Sequence, residues 1–274
     1  MKNLRSAAWI FSLALIFSSS LRAQEQKPPP PKPVQEVDLK AEAPARPPLT
    51  PRQAEEMRAD LLMVRKQYSD AIQAYERLLQ TEARNAVLMN KIGIAFHQLL
   101  ELDKARRYYE RAIKADKAYA QAHNNLGTVW YHRKNYRRAI NAYKKATTLN
   151  PELAPVQSNL GYAYFARKQY DQALLSFQRA LELDPEIFER RSSAGTLLQD
   201  RSVADRGFFY FFLAKSFAQV GNAERCAHYL RRSKDEGYKD WASALKDPAF
   251  GNVVNDPQVQ EVLHPPTPIA AVKP

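Results

Sequence analysis

The chain has 274 residues, a formal net charge of +12 and 45% hydrophobic residues, enough apolar material for one large domain or two small ones. A single cysteine, Cys226, excludes an internal disulfide, a Cys-x-x-Cys redox pair and a Cys-x-x-Cys-His haem attachment, so stability must come from packing. Phosphate-cradling G-x-G-x-x-G and P-loop patterns, the G-x-S-x-G elbow and H-E-x-x-H are missing from the sequence too.

Residues 1–23 read as a signal peptide. Lys2 and Arg5 precede the apolar run Ala7 to Phe17, and Ala23 stands where cleavage would occur. Leu21, at the −3 place, is not the small residue expected there, which leaves an uncleaved inner-membrane anchor as the alternative. Export, with the periplasm of a Gram-negative bacterium as destination, is the expectation. Residues 24–51 are dense in proline and mixed charge without apolar periodicity. Such a segment cannot bury enough surface to offset ordering entropy, so it reads as a disordered linker.

A 34-residue period follows. It carries Gly93, Gly127, Gly161 and Gly195, the column Tyr68, Leu102, Tyr136, Tyr170, and the column Tyr75, Tyr109, Tyr143, Phe177. Within a unit the spacing is helical: Ala122, Leu126 and Trp130 share one face, and Tyr136, Ala139, Ile140, Tyr143 and Ala146 share another. The short "RKN" connection makes the two helices antiparallel. Small residues at Gly127 and Ala139 should let them approach closely, leaving no room for a side chain at Gly127 or Gly161. Each hairpin has apolar residues it cannot cover alone, so hairpins must stack.

This pattern resembles the tetratricopeptide repeat family, at Leu126, Gly127, Trp130, Ala139, Tyr143, Ala146 and Pro151, and again at Leu160, Gly161, Tyr164, Ala173, Phe177, Ala180 and Pro185. The fold implied is an all-α, right-handed solenoid of about five helix hairpins. Four repeats occupy 52–187, at 52–85, 86–119, 120–153 and 154–187. The first is degenerate, with Ala59 in the glycine place, and the second has Lys117 in the proline place.

Residues 188–206 read as an irregular connection, in which "SVAD" should cap a helix starting near Val203. A fifth repeat spans 207–240, with Ala214 and Cys226 in small-residue places, so Cys226 reads as an inert packed thiol. The aromatic run Phe208 to Phe212 should face several directions, partly onto the 188–206 connection. Residues 241–263 should form short capping helices, with Asp-Pro starts at Asp247 and Asp256. Residues 264–274 read as a loose tail.

Nothing in these motifs points to catalysis, a cofactor or a resident metal. Glu55 and Glu56 read as a solvated helix face. His97 and His132 fall on one face but read as surface or packing histidines. The resemblance implies instead a non-catalytic protein-interaction module or scaffold, whose first helices line a concave groove. The groove positions would be Asn90, Ile94 and His97, then Asn124, Asn125, Thr128 and Tyr131, then Ser158, Asn159, Tyr162 and Phe165. Amides there can pair with an extended peptide backbone and aromatics supply contact area. Equally, asparagines at these places can join one repeat to the next. Asn125 and Tyr162 should point away from the seam between paired helices. Glu56 and Asp60 stand where a carboxylate clamp would need Lys and Asn, and Lys91 interrupts the asparagine column.

Twelve Lys/Arg side chains and only three acids lie between Asp103 and Lys145. By resemblance this patch, with Arg106, Arg107, Arg137, Arg138, Lys144 and Lys145, belongs to the convex side. It reads either as a solvated face or as a charge-driven docking surface for an acidic protein or anionic envelope surface. The expected partner is a protein or peptide; nucleic acid is disfavoured by export and by the lack of a base-stacking module.

Overall fold

A computed structural model describes residues 49–189 and 205–264. The expected signal peptide, nearly all of the proline-rich linker, most of the 188–206 connection with Gly195, and the tail from 265 lie outside the described residues. Among the described residues there is no strand, and no helix is long and apolar enough to cross a membrane.

Five helix hairpins follow one another: α1 (Pro51–Val64) with α2 (Tyr68–Thr81), α3 (Ala86–Gln98) with α4 (Leu102–Ala115), α5 (Ala120–His132) with α6 (Tyr136–Leu149), α7 (Ala154–Ala166) with α8 (Tyr170–Leu183), and α9 (Arg206–Gln219) with α10 (Ala223–Asp235). Each second helix also packs on the first helix of the next hairpin, and α3, α5 and α7 touch in succession. The described helices α1 to α10 therefore pack in one succession.

Local chemistry sets the helix ends. Thr50 accepts from the Gln53 amide while the Gln53 side chain accepts from the Thr50 amide, a reciprocal cap with Pro51 at the first helical position. Asn85, Asn135, Asp205 and Asn222 each accept a hydrogen bond from the amide three residues on. The first helix of the fifth hairpin starts at Arg206 behind Asp205, which supplies the capping oxygen; the helix start expected near Val203 lies outside the described residues. The turns inside the hairpins place Lys66, Leu100, Lys134 and Lys168 at φ 61°, 62°, 56° and 60°, and Gly221 at φ 76°.

The seam within each hairpin is a ring on a glycine. A Cβ at Gly127 would lie 2.7 Å from the Tyr143 ring, and Gly93 and Gly161 are equally closed by Tyr109 and Phe177. What approaches the glycine is thus an aromatic side chain rather than the facing backbone. In the fifth hairpin Ala214 and, sixteen residues on, Leu230 occupy these places, both fully buried: a larger residue on one helix and a smaller one on the other.

The aromatic run does face several ways. Phe209 packs on Tyr162 at 5.1 Å and Phe165 at 5.1 Å, Tyr210 on Tyr229 at 6.0 Å, and Phe211 on Phe250 at 5.6 Å. Phe188 reaches Phe217 at 6.1 Å from the near end of the connection. The stack closes with 3-10 turns at Trp241–Leu245 and Pro248–Phe250 and helix α11 (Pro257–Leu263), the last two capped by Asp247 and Asp256. Phe250, Val253, Val259 and Val262 are buried there. Cys226 is buried, and burial, aided by the Asp256 charge, pushes its thiol up to about 12, so it stays protonated and unreactive.

Candidate functional site

Ten of the eleven side chains expected to line the groove are buried, and Ile94 is half-buried. Three separate jobs account for most of them. The amides join first helices: Asn159 Nδ2 donates to Asn124 Oδ1 at 3.0 Å, Asn124 Nδ2 to Asn125 Oδ1 at 3.2 Å, and Asn125 Nδ2 to Asn90 Oδ1 at 2.9 Å. Asn90 Nδ2 extends the chain to Tyr119 Oη at 3.5 Å. A buried amide left unbonded is costly, so this run of bonds fixes α3, α5 and α7 in one register.

The second job is to cap the ring of the same hairpin. Thr128 Oγ1 lies 3.0 Å from Tyr143 Oη, and Tyr162 packs edge-on to Phe177 at 5.4 Å. Ile94 stands at the same place in the second hairpin and cannot hydrogen-bond; Tyr109 Oη there has no hydrogen-bond partner among the described residues. The third job is packing at the hairpin turn. Tyr131 meets Tyr136 at 5.2 Å, Phe165 meets Tyr170 at 5.5 Å, and His97 meets His132 at 5.2 Å. Tyr162 therefore lies in the helix-pairing seam, contrary to the expectation that it points away from it. Ser158 is fully buried.

The degenerate first repeat uses charge where the others use amides. Lys91 Nζ donates to Glu56 at 2.9 Å and to Asp60 at 2.7 Å, and Asp60 accepts from Tyr75 Oη at 2.5 Å. Burial opposes the Lys91 charge, but the hydrogen bonds to Asp60 and Glu56 outweigh it and hold its proton above the usual lysine range. Glu56 is accordingly part of an ion cluster between hairpins, while Glu55 pairs with Arg77 at 3.1 Å; neither is a bare solvated carboxylate. Sequence reasoning saw Lys91 only as a break in the asparagine column and missed its ion cluster, and it missed Tyr119 altogether. The signal was present, since a lysine breaks the amide column and the acids Glu56 and Asp60 stand on the first helix of the preceding repeat.

The basic patch divides. Arg106 pairs with Glu110 at 2.8 Å, and Arg138 lies 4.7 Å from the centre of the Trp130 ring. Arg107, Arg137, Lys144 and Lys145 are exposed. On α3, α5 and α7 the exposed side chains are Val87, Gln98, Gln121, His132 and Pro155. Among the described residues no group of three or more His, Cys, Asp or Glu could hold a metal ion. Burial, then the neighbouring His132, lowers the His97 pKa from 6.5 to about 4, so its ring is neutral near pH 7.

The tetratricopeptide repeat family models match residues 90–154 and 154–187. No curated protein matches the chain. Similar solved structures include MamA from Desulfovibrio magneticus RS-1, with 16% identity and a TM-score of 0.48 over 68% of this chain and 94% of that one. Another is YrrB, described as a TPR protein with an unusual peptide-binding site, with 18% identity and a TM-score of 0.45 over 70% and 90%. The first TPR of Spaghetti (RPAP3), bound to an HSP90 peptide, has 25% identity and a TM-score of 0.37 over 38% and 83%. With the family matches, the ring-on-glycine seams and the stacked hairpins together, residues 90–187 are tetratricopeptide repeats, and the hairpins on either side of them continue the same plan.

Proposed function

We propose that the chain is a non-catalytic protein-interaction module in the bacterial cell envelope, and that it binds a partner segment along its successive first helices. The observation that carries this is the amide ladder. It holds α3, α5 and α7 side by side, so that Val87, Gln98, Gln121, His132 and Pro155 present a preformed surface. Preformed surfaces bind with less ordering cost than ones that must assemble. The buried Asn, Tyr and Phe positions support that surface from beneath. A second reading is favoured by the four exposed cations Arg107, Arg137, Lys144 and Lys145, which suit an acidic protein or anionic envelope surface.

A photo-crosslinking residue placed at Gln121 or at Lys144 in living cells separates the readings. A protein captured from Gln121 alone supports the first, and from Lys144 alone the second. Capture of no protein from either position contradicts the interaction module. Export belongs to the same proposal: amino-terminal sequencing of native protein should begin near Gln24, and a retained Met1 on soluble cytoplasmic protein would sink it.

A further inference from the structure

We propose that the edge formed by the turns within the hairpins docks on an anionic lipid bilayer, with Leu100 inserted among the lipids and the neighbouring Lys and Arg side chains on the headgroups. Adjacent turns form one surface. Arg133, in the third hairpin, pairs with Asp103 of the second at 2.5 Å, and Arg133, Lys134 and Arg137 share an open depression with Arg167 of the fourth.

Leu100 stands at φ 62° and is 80% exposed, with Leu99 beside it 37% exposed. A non-glycine residue at positive φ is disfavoured, and an exposed leucine gains nothing from water. The fifth hairpin shows the cheaper solution, Gly221 at φ 76°. Lysine fills the same place at Lys66, Lys134 and Lys168, so the apolar tip of the second hairpin stands among turns that carry a cation. Acids are present, but Glu101 pairs with Lys104 at 2.5 Å and Asp103 with Arg133; Asp70, Asp171 and Glu224 are exposed at the starts of α2, α8 and α10.

An acidic protein surface would satisfy the cations and leave Leu100 in water. An anionic bilayer satisfies both. Burying a leucine side chain is worth about tenfold in partitioning, and each basic residue near an anionic surface about fivefold. This edge does not depend on a protein partner and differs from the first-helix surface, so crosslinking at Gln121 and vesicle binding can fail independently.

The test is sedimentation of the full chain with phosphatidylglycerol–phosphatidylcholine vesicles and with phosphatidylcholine vesicles. Comparing point variants in the same full chain cancels any contribution from the apolar amino-terminal run. Leu100→Gly should weaken partitioning to the anionic vesicles by about tenfold, with a melting temperature unchanged or raised, because glycine is unstrained at this φ. Lys134→Glu with Lys168→Glu should weaken it further and reduce its salt dependence. Unchanged partitioning of Leu100→Gly overturns the proposal. So does equal binding of the parent to neutral vesicles, or binding to soluble polyglutamate without binding to anionic vesicles, which would make an acidic protein the partner.

Discussion

Two junctions in the stack solve one problem with different chemistry. Between the second and fourth hairpins the first helices are joined by amides, through Asn90, Asn125, Asn124 and Asn159. Between the fourth and fifth they are joined by rings, with Tyr162 and Phe165 against Phe208, Phe209 and Phe212. Rings bury more apolar surface and are indifferent to small slips. Amides bury less but tolerate only the alignment in which each oxygen meets a nitrogen. The difference teaches that the regular repeats are held in register by directional bonds, and the irregular end by area. The first junction is a third solution, the Lys91 ion cluster.

The largest effect should fall at the aromatic junction. Phe209 is fully buried, and Phe209→Ala should cost about 3–5 kcal/mol in chemical denaturation. A loss under about 1 kcal/mol would mean that area does not hold this end together. Next comes acid. Unfolded histidine takes up its proton near pH 6.5, whereas folded His97 does so near 4. Its neutral form therefore contributes full stability above about pH 6.5, and this is lost as the pH falls toward 4. At about 1.4 kcal/mol per pH unit the loss is up to about 3 kcal/mol. His97→Gln should flatten the melting temperature across that window; an unchanged slope would place the acid sensitivity elsewhere.

The amide junction and the seam beneath it should show smaller losses. Asn124→Ala removes both bonds that Asn124 makes along the ladder and should cost about 1–3 kcal/mol. Gly127→Ala drives a Cβ into the Tyr143 ring and should cost a similar amount, about 1–3 kcal/mol. Thermal melts check both, and stability equal to the parent would mean that neither the ladder nor the ring-on-glycine seam sets the register of the helices. Smallest of all, Arg137→Ala on the exposed face should stay within about 0.5 kcal/mol.

Helix positions were legible in the sequence because a 34-residue period combined with Gly, aromatic and Pro columns has few other solutions. The Asp-Pro starts at Asp247 and Asp256 were legible because a cap is a local device. What was not legible is which polar first-helix side chains meet water. Matching residues lie 34 apart, but the amide bonds run between residues 35 apart, Asn90 with Asn125 and Asn124 with Asn159. Each side chain reaches back to its neighbour one step out of register, a consequence of how the helices lie against each other that no column of the repeat displays. Likewise Thr128 looks like a groove hydroxyl until Tyr143 Oη is found 3.0 Å away. The end of the fourth repeat is closed by the fifth, whose own first helix is irregular in sequence, so the burial of Tyr162 and Phe165 had no repeat signature.

The central claim is that the polar column of the first helices is structural, and a double-mutant cycle tests it most directly. Asn90→Ala, Asn125→Ala and the double variant should be compared by equilibrium denaturation. Each single change should destabilise, and the double should cost less than their sum by about 0.5–3 kcal/mol, because the 2.9 Å bond between them is lost only once. Parent-like stability in all three, with costs additive to within about 0.3 kcal/mol, would contradict the account and return these amides to the partner-binding role.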